Sequence, residues 1–325
     1  MITMRSPAGD AWHPVATSDT TLTSYWLNWR FFLCAIWVML GMTYASVLIW
    51  RNEGNQGTDE NDEDSKRRLY SEETWRPCFK SLHPLWLLVF RCFSFFFLLV
   101  LLVCALFTNG PRLLYYYTQW TFTLVTLYFA MGVLLSVHGC LLYGSNNKAG
   151  KVVVNEGSSI EGGHYEGINS RFNNPADYLA YCFQIIYQVN AGAVMLTDCV
   201  FWFVIFPFLE RNDYRISTVN ISMHSMNAML LMGDAFLNCM RFPLFRIGYF
   251  FLWTIVYVLF MWVVHSCFDI WWPYPFLDLS SSYSPLWYFV VGVMHFPCYG
   301  IFALILRIKH ALLSKWFPHS YESLR

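Results

Sequence analysis

LWLLVFRCFSFFFLLVLLVCALF runs from Leu85 to Phe107 and holds one charged residue, Arg91, in 23 positions. A helix of about 20 apolar residues, rising about 1.5 Å per residue, crosses the hydrocarbon of a bilayer. A soluble helix keeps a polar face, and this stretch has none. Six further apolar runs accompany it: Phe31–Trp50, Leu113–Tyr143, Tyr178–Leu209, Ser217–Met240, Ile247–Phe268 and Leu286–Leu306. The expected fold is therefore all-α, a polytopic transmembrane helix bundle with seven spans. Composition agrees. Of 325 residues, 56% are hydrophobic and 13% charged, against about 45–50% and 25% in a soluble domain. A soluble enzyme, a disordered regulator and a secreted disulfide scaffold are excluded.

Lys and Arg total 21 and so do Asp and Glu, which leaves no basic excess to recruit nucleic acid. The ten cysteines form no CxxC pair and read as small buried hydrophobes. No HxxxH or HExxH spacing occurs, so the sequence suggests no metal site.

The runs divide the chain into an outer tail (1–30), a first transmembrane helix (31–50), a polar cytoplasmic loop (51–84), a six-helix core (85–306) and a cytoplasmic tail (307–325). Within the core, the Gly- and Asn-rich stretch 144–175 reads as a disordered cytoplasmic loop. Five Lys or Arg residues fall in the loops on one side and fifteen on the other. The positive-inside rule then puts the N-terminus outer or lumenal and the C-terminus cytoplasmic. Arg91 is expected near the cytoplasmic start of its helix, snorkelling to the interface.

Ionisable and polar groups inside hydrocarbon face the bundle interior or a cavity. Thr118 lies about 8 Å inside the outer end of the third span and His224 about 10 Å inside the same end of the fifth, by helical rise. His265, Asp269 and Asp278 cluster toward that face. A threonine hydroxyl is a poor nucleophile alone, but a histidine in reach can take its proton. The competing structural reading makes His224, Asn227, Asp234 and Asn238 interhelical hydrogen-bonding groups and has Thr118 bond back to its own helix. Asp234 and Asn238, one turn apart, read as a structural pair, and Asp198, Gln184 and Gln188 as a polar stripe facing other helices. His138 and His295 read as lone structural histidines.

Three segments carry a resemblance: YYYTQWTF (Tyr115–Phe122), NISMHSMN (Asn220–Asn227) and YVLFMWVVHSCFDIWWPYPFLD (Tyr257–Asp278). They resemble motifs of the Rolling stone-like membrane proteins and, more distantly, the androgen-induced protein family, which hydrolyses fatty acid esters of hydroxy fatty acids. The resemblance covers about residues 85–306. It implies Thr118 as catalytic nucleophile, His224 as general base and acid, no cofactor, and a membrane lipid ester as substrate. Asn227, His265, Asp269 and Tyr274 are candidates for support, and Trp120 or Tyr274 for the oxyanion donor. Ile221 and Ser225 depart from the family pattern. The alternative is a non-catalytic scaffold, adhesion or transport protein. The sequence names no protein partner. Four aromatics around Pro273 and Pro275 are expected to fold back over the third and fifth helices as a roof, because proline denies helix continuation and so many rings avoid water.

Overall fold

Each apolar run becomes a helix, and the connections show why the helices stop where they do. The computed structural model describes residues 19–53, 72–155, 175–207 and 218–321. The long helices are α1 (Trp29–Glu53), α2 (Pro84–Asn109), α3 (Tyr117–Asn155), α4 (Pro175–Val200), α5 (Thr218–Leu237), α6 (Ile247–Cys267) and α7 (Ser284–Trp316). Helix α2 starts on Pro84, whose missing N–H costs nothing at a first turn, and the His83 ring accepts from the Leu85 N–H at 3.1 Å. It ends at Gly110, which takes φ 68° and returns its N–H to Leu106. That left-handed turn is open to glycine at little cost, and Pro111 follows. Helix α4 runs on into a π-helical turn, Phe201–Ile205.

Helix α4 is central and packs on α3, α5, α6 and α7. Helix α1 lies outside on α6 and α7, and α2 lies outside on α3 and α5. Two apolar clusters follow from this plan. One gathers Val38, Phe250, Phe251, Ile255 and Tyr288; the other gathers Leu98, Val125, Phe129, Phe183, Leu231 and Phe302. The outer surface is also apolar: Phe96 is 62% exposed, Leu134 61% and Val263 62%. Large rings and aliphatics displayed on this scale match a lipid solvent, not water.

Among the described residues, six helical segments are long and apolar enough to cross a membrane: Trp29–Glu53, Pro84–Asn109, Tyr117–Ser145, Tyr178–Ile205, Leu244–Cys267 and Ser284–Trp316. The chain is a multi-pass integral membrane protein. The expected count of seven is not matched. Helix α5 forms, but Ser222, His224, Ser225, Asn227 and Asp234 dilute its hydropathy. It nonetheless runs through the bundle beside α3: Met223 meets Gln119 at one level, and Asp234 meets Tyr128 lower down.

Two further expectations change. The stretch 144–175 begins as helix, since α3 continues to Asn155; residues 156–174 lie outside the described ones. In the 51–84 connection, residues 54–71 are likewise outside, but the part after them is packed. Glu73, Thr74 and Cys78 are buried, and Pro77 bridges to Asn238.

Candidate functional site

Buried charge first shows what most of the bundle's polar groups do. Arg91 does not snorkel; its side chain is fully buried. Its Nε donates to Asp234 Oδ1 at 2.7 Å and its Nη2 to Oδ2 at 3.3 Å. Nη1 donates to the Thr74 carbonyl at 2.6 Å and to Ser136 Oγ at 2.8 Å. Asp234 also accepts from the Tyr128 hydroxyl and from Asn238 Nδ2 at 2.8 Å. Sequence distance hid this partnership: 143 residues separate Arg91 from Asp234. The α4 stripe is structural too. Gln188 accepts from the Tyr299 hydroxyl at 2.7 Å and donates to the Arg241 carbonyl at 3.1 Å, while Gln184 accepts from Arg246 at 3.4 Å.

At the other end lies a different group. The level of each residue follows from register. Leu124 of α3 accepts from Asn190 of α4. One turn on, Tyr128 stacks on Phe183 and Tyr187, further back along α4, so the two helices are antiparallel. Stepping from Leu124 back to Thr118 therefore corresponds to stepping from Asn190 forward to about Leu196. Thr118 thus shares a level with Thr197 and Asp198. Gln119 Nε2 lies 3.9 Å from Met223 Sδ, which brings the neighbouring His224 of α5 to that level as well.

His224 Nδ1 lies 3.3 Å from Asp198 Oδ1, with the two side chains 11% and 14% exposed. Its ring stacks on Phe201 at 3.8 Å and 9°, the first residue of the π-helical turn. Such turns inside α-helices recur at functional sites. Asp198 thus contacts the histidine ring through Nδ1, although in sequence it reads only as part of a polar stripe. Asn227 is buried, and its Oδ1 accepts from the Ala228 N–H at 2.7 Å.

Thr118 meets the loop between α6 and α7. Its backbone N–H donates to the Tyr274 hydroxyl at 3.3 Å. Burial pushes the Tyr274 phenol up to about 12, so it keeps its proton at neutral pH. Among the described residues no hydrogen bond joins Thr118 to His224. Trp120 is unsuited as an oxyanion donor: its Nε1 donates to the Leu114 carbonyl at 2.8 Å.

The loop does fold inward. Trp272, Tyr274 and Leu277 are buried. Trp271 packs on Tyr116 at 5.6 Å and Tyr274 on the same ring at 6.0 Å. Tyr25, near the start of the described chain, ties the loop down. Its hydroxyl donates to Asp278 at 2.8 Å and accepts from Trp272 Nε1 and the Leu279 N–H, each at 3.0 Å. The roof covers the start of α3, and no hydrogen bond or ring contact carries it to His224 among the described residues. His265 is fully buried and stacks on Trp272 at 3.6 Å, so it anchors the loop and does not orient His224. Asp269 is exposed and supports neither residue.

The residue that sequence reading passed over is His295. It is not a lone ring. Its Nε2 lies 2.8 Å from Thr254 Oγ1, and its Nδ1 lies 2.8 Å from the Val291 carbonyl. A faint signal was available, since His295 and Thr254 are both polar interruptions of otherwise apolar helices, but only packing pairs them. No group of three or more metal-ligating side chains occurs among the described residues. Comparison with family models, curated proteins and solved structures finds no match.

Proposed function

We propose that this multi-pass membrane protein is an intramembrane lipid ester hydrolase, as the resemblance of its Thr, His and Tyr-Pro-Phe-Leu segments to the androgen-induced protein family implies. The observation that carries the reading is the 3.3 Å contact of His224 Nδ1 with Asp198 Oδ1. A base held by a carboxylate on one nitrogen has the other free for proton transfer. Thr118 Oγ attacks the acyl carbonyl carbon, and its proton passes to His224 Nε2. The developing oxyanion takes a hydrogen bond from the Tyr274 phenol. The ester C–O bond breaks, and His224 returns the proton to the leaving alcohol. Water, deprotonated by His224, then cleaves the acyl-threonine and releases the fatty acid. Closing the open gap between Thr118 and His224 is left to substrate binding, since catalytic contacts are often loose without substrate. The 1–2 connection and C-terminus are cytoplasmic in this reading, which puts the reaction in the outer leaflet.

A second reading, a non-catalytic scaffold, is favoured by the missing Thr118–His224 hydrogen bond. Peptide mapping of fluorophosphonate-treated membranes separates the two. The hydrolase predicts an adduct on Thr118, lost in Thr118→Ala, and hydrolysis of fatty acid esters of hydroxy fatty acids reduced about 10²-fold or more in His224→Gln. Asp198→Asn lowers the rate without abolishing the Thr118 adduct. A wild-type protein with no adduct at Thr118 sinks the hydrolase.

A further inference from the structure

The structure assigns a second acyl-accepting centre, at Thr254 and His295, to the floor of a groove between α1, α6 and α7 that takes the acyl chain of a lipid ester from the bilayer. It uses none of the residues of the proposed Thr118 site and stands independently of it.

The hydrogen bonds have one consistent direction. His295 Nδ1 faces a carbonyl oxygen at 2.8 Å, which cannot donate, so Nδ1 carries the proton. In the neutral ring Nε2 is then an acceptor, and the Thr254 hydroxyl 2.8 Å away donates to it. The Tyr117 hydroxyl, 2.9 Å from Thr254 Oγ1, donates in turn to the threonine. A weaker contact from Thr254 to the Phe250 carbonyl, 3.3 Å, loses to the shorter bond. This is the arrangement of an activated nucleophile: hydroxyl on base at about 2.6–3.2 Å, with the base oriented by a third group. Thr254 is the one threonine hydroxyl bonded to a histidine among the described residues.

The surroundings point to the ligand. The enclosed part of the groove is small, about 80 Å³, and the groove is open at its mouth. Apart from Thr254 and His295 its walls are almost wholly apolar, with Trp37, Phe251, Phe276 and Trp287 prominent. Gly41 and Gly292 line it as well, and a Cβ built on Gly292 meets nothing within 4 Å. Phe276 and Leu277 of the 6–7 loop complete the lining, and the other walls come from three membrane-crossing helices, so the solvent at the mouth is lipid. His295 itself is sandwiched between Phe250 at 4.3 Å and Phe251 at 4.5 Å, which fixes the ring.

In the reaction Thr254 Oγ bonds to the acyl carbonyl carbon, its proton moves to His295 Nε2, and the ester C–O bond breaks as that proton passes to the departing alcohol. The Tyr117 hydroxyl is the nearest donor for the oxyanion. Water then hydrolyses the acyl-threonine.

The test uses full-length protein in membranes, a fluorophosphonate bearing a long alkyl chain, and mass-spectrometric mapping of the adduct. The Thr254 Oγ–P bond forms, fluoride leaves and the proton goes to His295. The expected result is an adduct on Thr254 that persists in Thr254→Ser and falls at least tenfold in His295→Gln. Gly292→Leu, which fills the groove without touching the hydrogen bonds, should also lower it at least tenfold. An adduct on Thr118 alone overturns the Thr254 centre and leaves the proposed function standing; an adduct on Thr254 alone does the reverse. Absence of adduct at Thr254, or an undiminished one in His295→Gln, overturns the inference.

Discussion

Asp234→Asn leaves the Arg91 guanidinium buried with no counter-charge. Both side chains are fully buried in the wild type, so water cannot replace what is lost. The carboxylate receives four hydrogen bonds, two from Arg91, one from Tyr128 and one from Asn238. An amide offers one acceptor oxygen and turns two donors toward a group that only donates. Breaking a buried pair by removing one partner costs about 3–5 kcal/mol. The lost bonds from Tyr128 and Asn238, at about 1 kcal/mol each, push the loss to the upper end of that range. Arg91→Met costs a similar amount, because Asp234 then loses its counter-charge, and it also removes the Nη1 bonds to Ser136 Oγ and the Thr74 carbonyl. The double variant Arg91→Met/Asp234→Leu removes both charges and should recover most of the stability, since apolar replacement of a buried pair is often neutral or better. Unfolding in mixed micelles, read by tryptophan fluorescence on wild type, Arg91→Met, Asp234→Leu and the double variant, gives the double-mutant cycle, and Asp234→Asn is measured beside it. Asp234→Asn within about 1 kcal/mol of wild type, or a double variant as unstable as the summed singles, would refute the buried-pair account.

Three other outcomes follow from particular contacts. Gly192→Ala should destabilise by about 1–3 kcal/mol in the same assay, because the new Cβ would lie 2.3 Å from the ring of Phe250; an unchanged midpoint would mean that α4 and α6 do not touch there. The Cys78 thiol is lowered from its ordinary 9.0 to about 7, first by a hydrogen bond with Cys239 and then by the Lys309 ammonium, which together outweigh burial. Its folded value lies below the unfolded one, so this stabilisation is complete above pH 9 and is lost as pH falls through 7. Stability should rise between those values in the wild type and flatten in Cys78→Ser. A cysteine placed at Arg76, whose side chain is 44% exposed, should react with an impermeant maleimide only after the membrane is opened; labelling of intact cells would reverse the orientation.

The sequence by itself determined the solvent of this protein. Runs such as Leu85–Phe107 leave no polar face, and backbone groups in hydrocarbon must bond within their own helix, so an all-α bundle follows from local composition. It also put Thr118 and His224 at similar depth, because rise per residue is a local quantity. The inward fold of the 6–7 loop was legible for the same reason, from two prolines and four rings. What tertiary structure decided was azimuth and partnership. Helix α5 looked like a span by length, yet its polar groups bond to α2, α3 and α4. Arg91 looked like a snorkelling residue because the carboxylate that neutralises it lies 143 positions away. Asp198 became the partner of His224, and Thr254 of His295, for that reason too: a hydrogen bond between helices depends on which faces meet. A 100° step per residue turns a one-position difference into a different neighbour, and helix contacts are set by packing across the whole bundle, which no single stretch of sequence contains.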